Sequence, residues 1–310
     1  MKTDNHTMSS TKYLIVLTGP TGIGKTDLSL RLNDKYNTSI ISADSRQVYK
    51  EMAIGTAKPT KAQIESGNIK LVDFLSITEK YNAGLFEKDA LQIIKEDHSQ
   101  RDVSIICGGT GFYIKAVCEG LHEFPDVPAE VVTKLENELE ASGIEELQSR
   151  LKVVDPITFK NIDIQNAHRL IRALSITDHT GRPFSEFKNK ELELRSFKII
   201  NIVLDEDRDI LYKRIENRVD KMIESGLIAE VESLIPYKNL KSLNTVGYSE
   251  VFQYLEGNVS RDFCIEEVKK NSRRYAKRQL TWLRKYNNGQ RFPSSDFDGI
   301  TEYIDSIMKS

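Results

Sequence analysis

Cysteine is scarce. There are three in 310 residues (Cys107, Cys118 and Cys264), an odd number with no metal-ligand spacing. That excludes a disulfide framework and suits a reducing, cytoplasmic setting. Long apolar runs are missing too: the longest, Tyr13–Leu17, has five residues, against the ~20 that cross a bilayer. No membrane partner is expected. Met1–Thr11 is polar and reads as a disordered leader rather than a signal peptide. Internal repeats and low-complexity segments are also lacking, and net charge is only −2, which by itself gives no case for nucleic acid. With 39% hydrophobic and 29% charged residues the chain is globular, and its length suits two domains at roughly 150 residues each.

The distribution of charge says more than its sum. Lys269 to Lys285 holds eight Lys/Arg and no acid, interleaved with Tyr275, Trp282 and Tyr286, so the remaining chain carries −10. Such a stretch is either a solvated helix face or a polyanion footprint, and both readings stay open.

Periodicity divides the chain. Tyr13–Leu17, Ser39–Ala43, Val103–Cys107 and Phe197–Leu204 read as buried strands, with helical patterns such as Lys25–Lys35 and Leu85–Lys95 between them. That alternation predicts an α/β fold with a mostly parallel sheet. From about Gly120 to Arg195 only helical periodicity is present. Pro128 opens one helix (Val131, Leu135, Leu139); a second carries Ile144, Leu147 and Leu151; a third, Asn166–Thr180, stops at Gly181-Arg182-Pro183. The expected organisation is a catalytic core of residues 12–119 and 196–310 with an all-helical insertion at 120–195. Asp207–Ser225 is a further helix, with Leu211, Ile215, Val219 and Met222 on one face.

Gly19-Pro20-Thr21-Gly22-Ile23-Gly24-Lys25-Thr26 follows a strand and opens a helix, matching G-x-x-x-x-G-K-[ST]. Consecutive amides at a helix N-terminus make an anion nest. Lys25 is placed to hold terminal phosphates and the Thr26 hydroxyl a Mg2+ ion. The motif points to phosphate without saying which phosphate compound. Asp44 ends the second strand and is the one acid placed by the pattern near this loop, as metal support or general base. The third strand runs into Gly108-Gly109-Thr110-Gly111, which offers a hydroxyl and no carboxylate. Arg214 and Arg218, four apart on one helix, could reach a phosphate together or be ordinary surface arginines. A small-metabolite kinase is compatible with all of this.

Together these blocks resemble the tRNA dimethylallyltransferases (tRNA isopentenyltransferases), from about Leu14 to Lys285. The residues that carry the likeness are Gly19–Thr26, Ser42–Tyr49, Gly55–Pro59, Gly108–Tyr113, Asp155-Pro156, His168–Leu174, Thr180-Gly181, Arg214-Ile215, Arg218-Val219, Val246–Tyr248 and Ala276–Trp282. The resemblance implies a P-loop NTPase-like parallel sheet flanked by helices, with an inserted helical tRNA-binding subdomain. It implies transfer of the dimethylallyl group from dimethylallyl diphosphate to N6 of the adenosine 3′ to the anticodon, in tRNAs reading codons that begin with U.

It further implies site roles. Asp44 would be the general base, and Lys25, Thr110 and Arg218 would complete the catalytic set. Gly19–Thr26, Arg214 and Arg218 would hold the diphosphate, with Mg2+ on Thr26. The tRNA anticodon stem-loop would be gripped by Asp44, Ser45, Arg46, Gln47 and Thr110, and by Gln165, Asn166, Ala167, His168 and Arg169. To these the charge pattern adds Arg273, Arg274, Lys277 and Arg278 as backbone contacts. A monomer is expected. The chain departs from the family pattern at Asn68–Asp73, where many members carry a Pro-His-His run, and at Val132, where many carry a basic residue. Both departures are expected on RNA-facing surface.

Overall fold

The strands expected from the apolar runs lie side by side in one six-stranded sheet, ordered β3-β2-β4-β1-β5-β6. They are β1 (Tyr13–Thr18), β2 (Ile40–Ala43), β3 (Ile69–Lys70), β4 (Val103–Gly108), β5 (Lys198–Leu204) and β6 (Gln290–Phe292). All five pairings are parallel. The computed structural model describes residues 11–188 and 192–310, so the leader expected over residues 1–11 lies, but for Thr11, outside the described residues.

β1 and β4 are buried along their whole length, as expected of parallel strands covered by helices on both faces. One face packs Ile15, Leu17, Ile105 and Ile202 against Leu28, Leu32 and Leu211. The other packs Leu14, Val16, Ile41 and Ile106 against Phe86, Ala90 and Ile94 of the helix Ala83–His98.

Register is what builds the site. Thr18 lies opposite Gly108 and Val203, and Ala43 opposite Gly108, so the loops after β1, β2 and β4 leave the sheet at one level. In open α/β sheets that carboxyl edge is where ligands bind.

The described residues form two compact units, one up to Glu119 and again from Arg195 to Ser310, the other Gly120–Leu194. The boundary differs by one residue from the expected 120–195. Arg195 belongs to the sheet unit because its guanidinium donates to the Ala116 and Val117 carbonyls and pairs with Glu87. The second unit is helical: Ala129–Ser142, Ile144–Val154, Pro156–Asn161 and Ala167–Thr180 around Leu135, Leu147, Leu151, Leu170 and Leu174. Asp155 caps the short third helix through the Thr158 amide and also takes the Ser185 amide and hydroxyl. Burial works against its charge, but these hydrogen bonds win and hold its carboxyl below the usual range.

The long helix Arg261–Tyr286 carries the basic stretch. Among the described residues no helix is long and apolar enough to cross a membrane.

Candidate active site

The helix Lys25–Tyr36 starts from Gly24, whose φ of 99° needs a glycine and supplies no side-chain cap. Its first amides therefore remain available to an anion. Lys25 Nζ donates to the Gly19 and Pro20 carbonyls at 3.0 and 2.8 Å. Burial lowers its ammonium to about 8; Cys107 and Asp44 oppose that, and Arg218 adds to it. Ile23 is wholly buried in the core, so only its backbone can serve a ligand.

A cavity of about 420 Å³ opens over this loop. Thr21, Gly22, Gly24, Lys25 and Thr26 line it, with Asp44, Arg46 and Gln47 after β2 and Arg218 from the helix Arg208–Glu224. Asp44 Oδ1 accepts from the Arg46 and Gln47 amides at 2.9 and 3.3 Å, which fixes the carboxylate and leaves Oδ2 for another partner. Arg218 is half-buried. It donates to Thr21 Oγ1 (3.2 Å) and to the Thr56 carbonyl (3.4 Å). Burial disfavours its charge and the Asp44 carboxylate favours it. Lys25, Arg218 and the Asp44 carboxylate thus share a chamber with helix-terminal amides. That arrangement can bind a polyphosphate at one end and accept a proton at the other.

Three expected site residues stand differently. Thr110 is turned to the Asp44 loop: its hydroxyl accepts from the Ser45 amide at 3.0 Å and its own amide donates to the Ala43 carbonyl. Arg214 does not join Arg218 in the chamber. It lines an adjoining cleft that Gly22, Gly24 and Arg218 also line, pairs with Glu206 and donates to Ser294 Oγ. Residues four apart share a helix face but stand about 6 Å apart along the axis, and that advance leaves Arg218, and not Arg214, lining the chamber. Arg273 is engaged by Glu216 and Lys269 by Asp220, so acids from a neighbouring helix neutralise part of the basic run. Arg274, Lys277 and Arg278 stay exposed. In the helical unit Gln165, His168 and Arg169 are exposed at the start of the helix Ala167–Thr180, which Asn166 caps by accepting from the Arg169 amide.

Several residues in and around the chamber had no role assigned from the sequence. Gln279 Oε1 accepts from the Thr21 amide (2.8 Å) while its Nε2 donates to the Gly109 carbonyl (3.0 Å), strapping the phosphate loop to the turn after β4. A Cβ on Gly109 would collide with that amide group. Glu230 accepts from three successive amides, Ala53, Ile54 and Gly55, at 2.7–3.0 Å and from the Tyr248 hydroxyl at 2.7 Å. The Tyr248 ring lies where a Cβ on Gly55 would sit, at 2.5 Å. This pins the segment whose Thr56 and Ala57 carbonyls receive Gln47 Nε2. Tyr275 also lines the chamber, its phenol pushed up to about 12 by burial and by Asp44.

A family model described as IPP transferase matches residues 47–286. The chain is 47% identical over 302 residues to a tRNA dimethylallyltransferase of Christiangramia forsetii, spanning 96% of this chain and 99% of that one. The chain belongs to the tRNA dimethylallyltransferase family. A second relative, tRNA dimethylallyltransferase 1 of Bacteroides thetaiotaomicron, is 42% identical over 94% of both chains. Among solved structures, the full-length tRNA isopentenylpyrophosphate transferase of Bacillus halodurans superposes with a TM-score of 0.70 at 33% identity, over 96% of this chain and 97% of that one. A eukaryotic dimethylallyltransferase acting on tRNA gives 0.76 at 25% identity, over 96% and 77%.

In this member of the tRNA dimethylallyltransferase family the two departures from pattern are structural. Asn68–Asp73 contains the edge strand β3, with Ile69 in the core and Asp73 Oδ1 paired at 2.6 Å with the Lys58 ammonium. Val132 packs against the core of its own helical unit. Asn68 and Lys70 are nevertheless exposed, and Val132 is half-buried.

Proposed function

We propose that this transferase moves the dimethylallyl group from dimethylallyl diphosphate to N6 of the adenosine 3′ to the anticodon, in tRNAs reading codons that begin with U. The observation that carries the reading is the Lys25–Arg218–Asp44 constellation over the phosphate loop, in a chain of this family. The N6–C1 bond forms as the allylic C1–O bond breaks. The electron pair of that bond leaves with diphosphate, and the N6 proton passes to Asp44 Oδ2. Charge builds on the diphosphate oxygens as the bond breaks, and there the loop amides, Lys25 and Arg218 act as fixed donors.

Thr26 and Asp44 offer a hydroxyl and a carboxylate to the chamber, both hard oxygen donors. Among the described residues no cluster of three His, Cys, Asp or Glu exists to cage a metal. The hydroxyl and the carboxylate are donors of the kind Mg2+ takes alongside water and substrate phosphate. Thr26 would hold it, and the ion would supply further neutralisation of the diphosphate.

The test is label transfer from radiolabelled dimethylallyl diphosphate with Mg2+ into unmodified tRNA, with AMP as competing acceptor. Wild type should label tRNA, and Asp44→Ala should fall by about 10² to 10⁴, the span of a lost general base. Label in AMP, or equal rates in the two proteins, would defeat the reading.

A further inference from the structure

The helix Arg261–Tyr286 turns one side to the chamber: Val268, Ser272, Tyr275 and Gln279, at steps of four, three and four, all line it. The side chains that follow on the next faces, Arg274, Lys277 and Arg278, are exposed cations. Tyr275 sits at the border of the two sides, 36% exposed. It is the one aromatic residue among those lining the chamber. The Arg278 guanidinium lies 5.6 Å from its ring centroid, so the ring is held from its own helix. Its neighbours in charge are Asp44 and Arg46, the groups beside which an acceptor would lie.

An adenine that gives its N6 proton to Asp44 must meet the carboxylate edge-on, because that N–H lies in the base plane. Its faces then need a partner once it has left the stack of the RNA loop, and unstacking is the main expense of such extrusion. The other chamber residues are aliphatic, small or polar. Stacking on an aromatic ring is the ordinary way for a protein to receive an unstacked base.

We propose that Tyr275 is the platform on which the extruded acceptor adenine stacks while Asp44 addresses its N6. This rests on the transferase reading but makes a separate claim about where the base lies. A phenylalanine should serve nearly as well, since the claim concerns the ring and not the hydroxyl.

The experiment uses the full chain with an anticodon stem-loop RNA, in wild type, Tyr275→Phe and Tyr275→Leu. The first readout is steady-state transfer with Mg2+ and dimethylallyl diphosphate. Tyr275→Leu should lose about 5- to 150-fold in kcat/KM for RNA, the range of one base–aromatic stack. Its KM for the diphosphate should stay at the wild-type value. Tyr275→Phe should recover most of the activity. The second readout needs no chemistry: the same RNA carrying 2-aminopurine at the acceptor position, its fluorescence read at saturating protein. The bound probe should be brighter in Tyr275→Leu than in wild type or Tyr275→Phe, because the quenching ring is gone.

Equal probe fluorescence in all three proteins overturns the proposal. So does a Tyr275→Leu defect confined to KM for dimethylallyl diphosphate, which would assign the ring to the donor. Ring-dependent fluorescence with no transfer by wild type would support the platform and sink the transferase reading, so the two claims fail separately.

Discussion

Replacing Glu230 with alanine should cost stability out of proportion to its place on the short helix Leu227–Ser233, which contributes little else to the sheet. Its carboxylate takes three successive backbone amides and a tyrosine hydroxyl. A hydrogen bond to a charged group contributes roughly 1.5–3 kcal/mol, so four taken naively would approach 6–12 kcal/mol. That overstates the loss. Ala53, Ile54 and Gly55 are only half-buried, and water can replace part of what is removed. The Tyr248 hydroxyl, on a fully buried residue, has no such recourse. The expectation is about 2–4 kcal/mol, mostly from the buried tyrosine and the released loop.

In a unit of this size that lowers Tm by roughly 5–15 °C, read by circular dichroism on wild type, Glu230→Ala, Tyr248→Phe and the double variant. Tyr248→Phe alone should lose about 1 kcal/mol, and the pair should show a coupling of about 0.5–3 kcal/mol. Activity should fall further than stability explains at 25 °C, because the loop's Thr56 carbonyl is the anchor of both Arg218 and Gln47. A Glu230→Ala protein melting within about 1 °C of wild type would refute the reasoning, since it would mean the clamp contributes almost nothing.

Other perturbations test other parts of the site. With Lys25 lowered to about 8 in the folded protein and 10.5 as its ordinary value, kcat/KM for the diphosphate should fall as pH rises through 8. Lys25→Arg, though weaker, should lose that limb. The same shift means the unfolded chain binds more protons than the folded one between pH 8 and 10.5. This lysine's contribution to stability therefore rises across that window, a slope that urea unfolding should find absent in Lys25→Met. Gln279→Leu leaves the Thr21 amide and the Gly109 carbonyl unpaired and should reduce kcat/KM about tenfold or more, at 1–3 kcal/mol per buried orphan, with the far-ultraviolet spectrum unchanged. Replacing Arg274, Lys277 and Arg278 with glutamine should weaken RNA binding and flatten its log–log salt slope by about 2. Arg273→Gln, already engaged by Glu216, should alter the slope little and the melting temperature more.

Most of the scaffold of the site was legible in the sequence because it rests on local signals. A five-residue apolar run, a glycine-rich turn and a helix opening at Lys25 are contiguous, so β1, the phosphate loop and its helix could be placed together. Asp44 and the Gly108-Gly109-Thr110 turn followed from strand ends. β3 and β6 were not visible: with two and three residues they are too short to show a period. Gln279 and Glu230 were missed for a different reason. Each acts through backbone partners 170 or more residues away, and no spacing rule reaches that far. The ion pairs of the basic helix were illegible for a related cause. The acids that quiet Arg273 and Lys269 lie on another helix, and a window along the chain does not contain them. Arg214 and Arg218 look equivalent by spacing, and only the fold shows that Arg218 lines the chamber while both line the adjoining cleft.

The sheet also sets a schedule for synthesis. β1 is bonded on one side to β4 and on the other to β5, whose first residue is Lys198. While the ribosome makes the helical segment between Gly120 and Leu194, the most apolar strand of the chain has one neighbour and one bare flank. At about 5–20 residues per second the interval from Thr18 to Lys198 is roughly 10–40 seconds. Through that time the nascent chain offers an open template for mispairing. Holdase chaperones should therefore bind stalled chains that end before β5 far more than chains that end after it. The final helix wall, with Tyr275 and Gln279, arrives later still, so the chamber closes only when nearly all of the protein has been made.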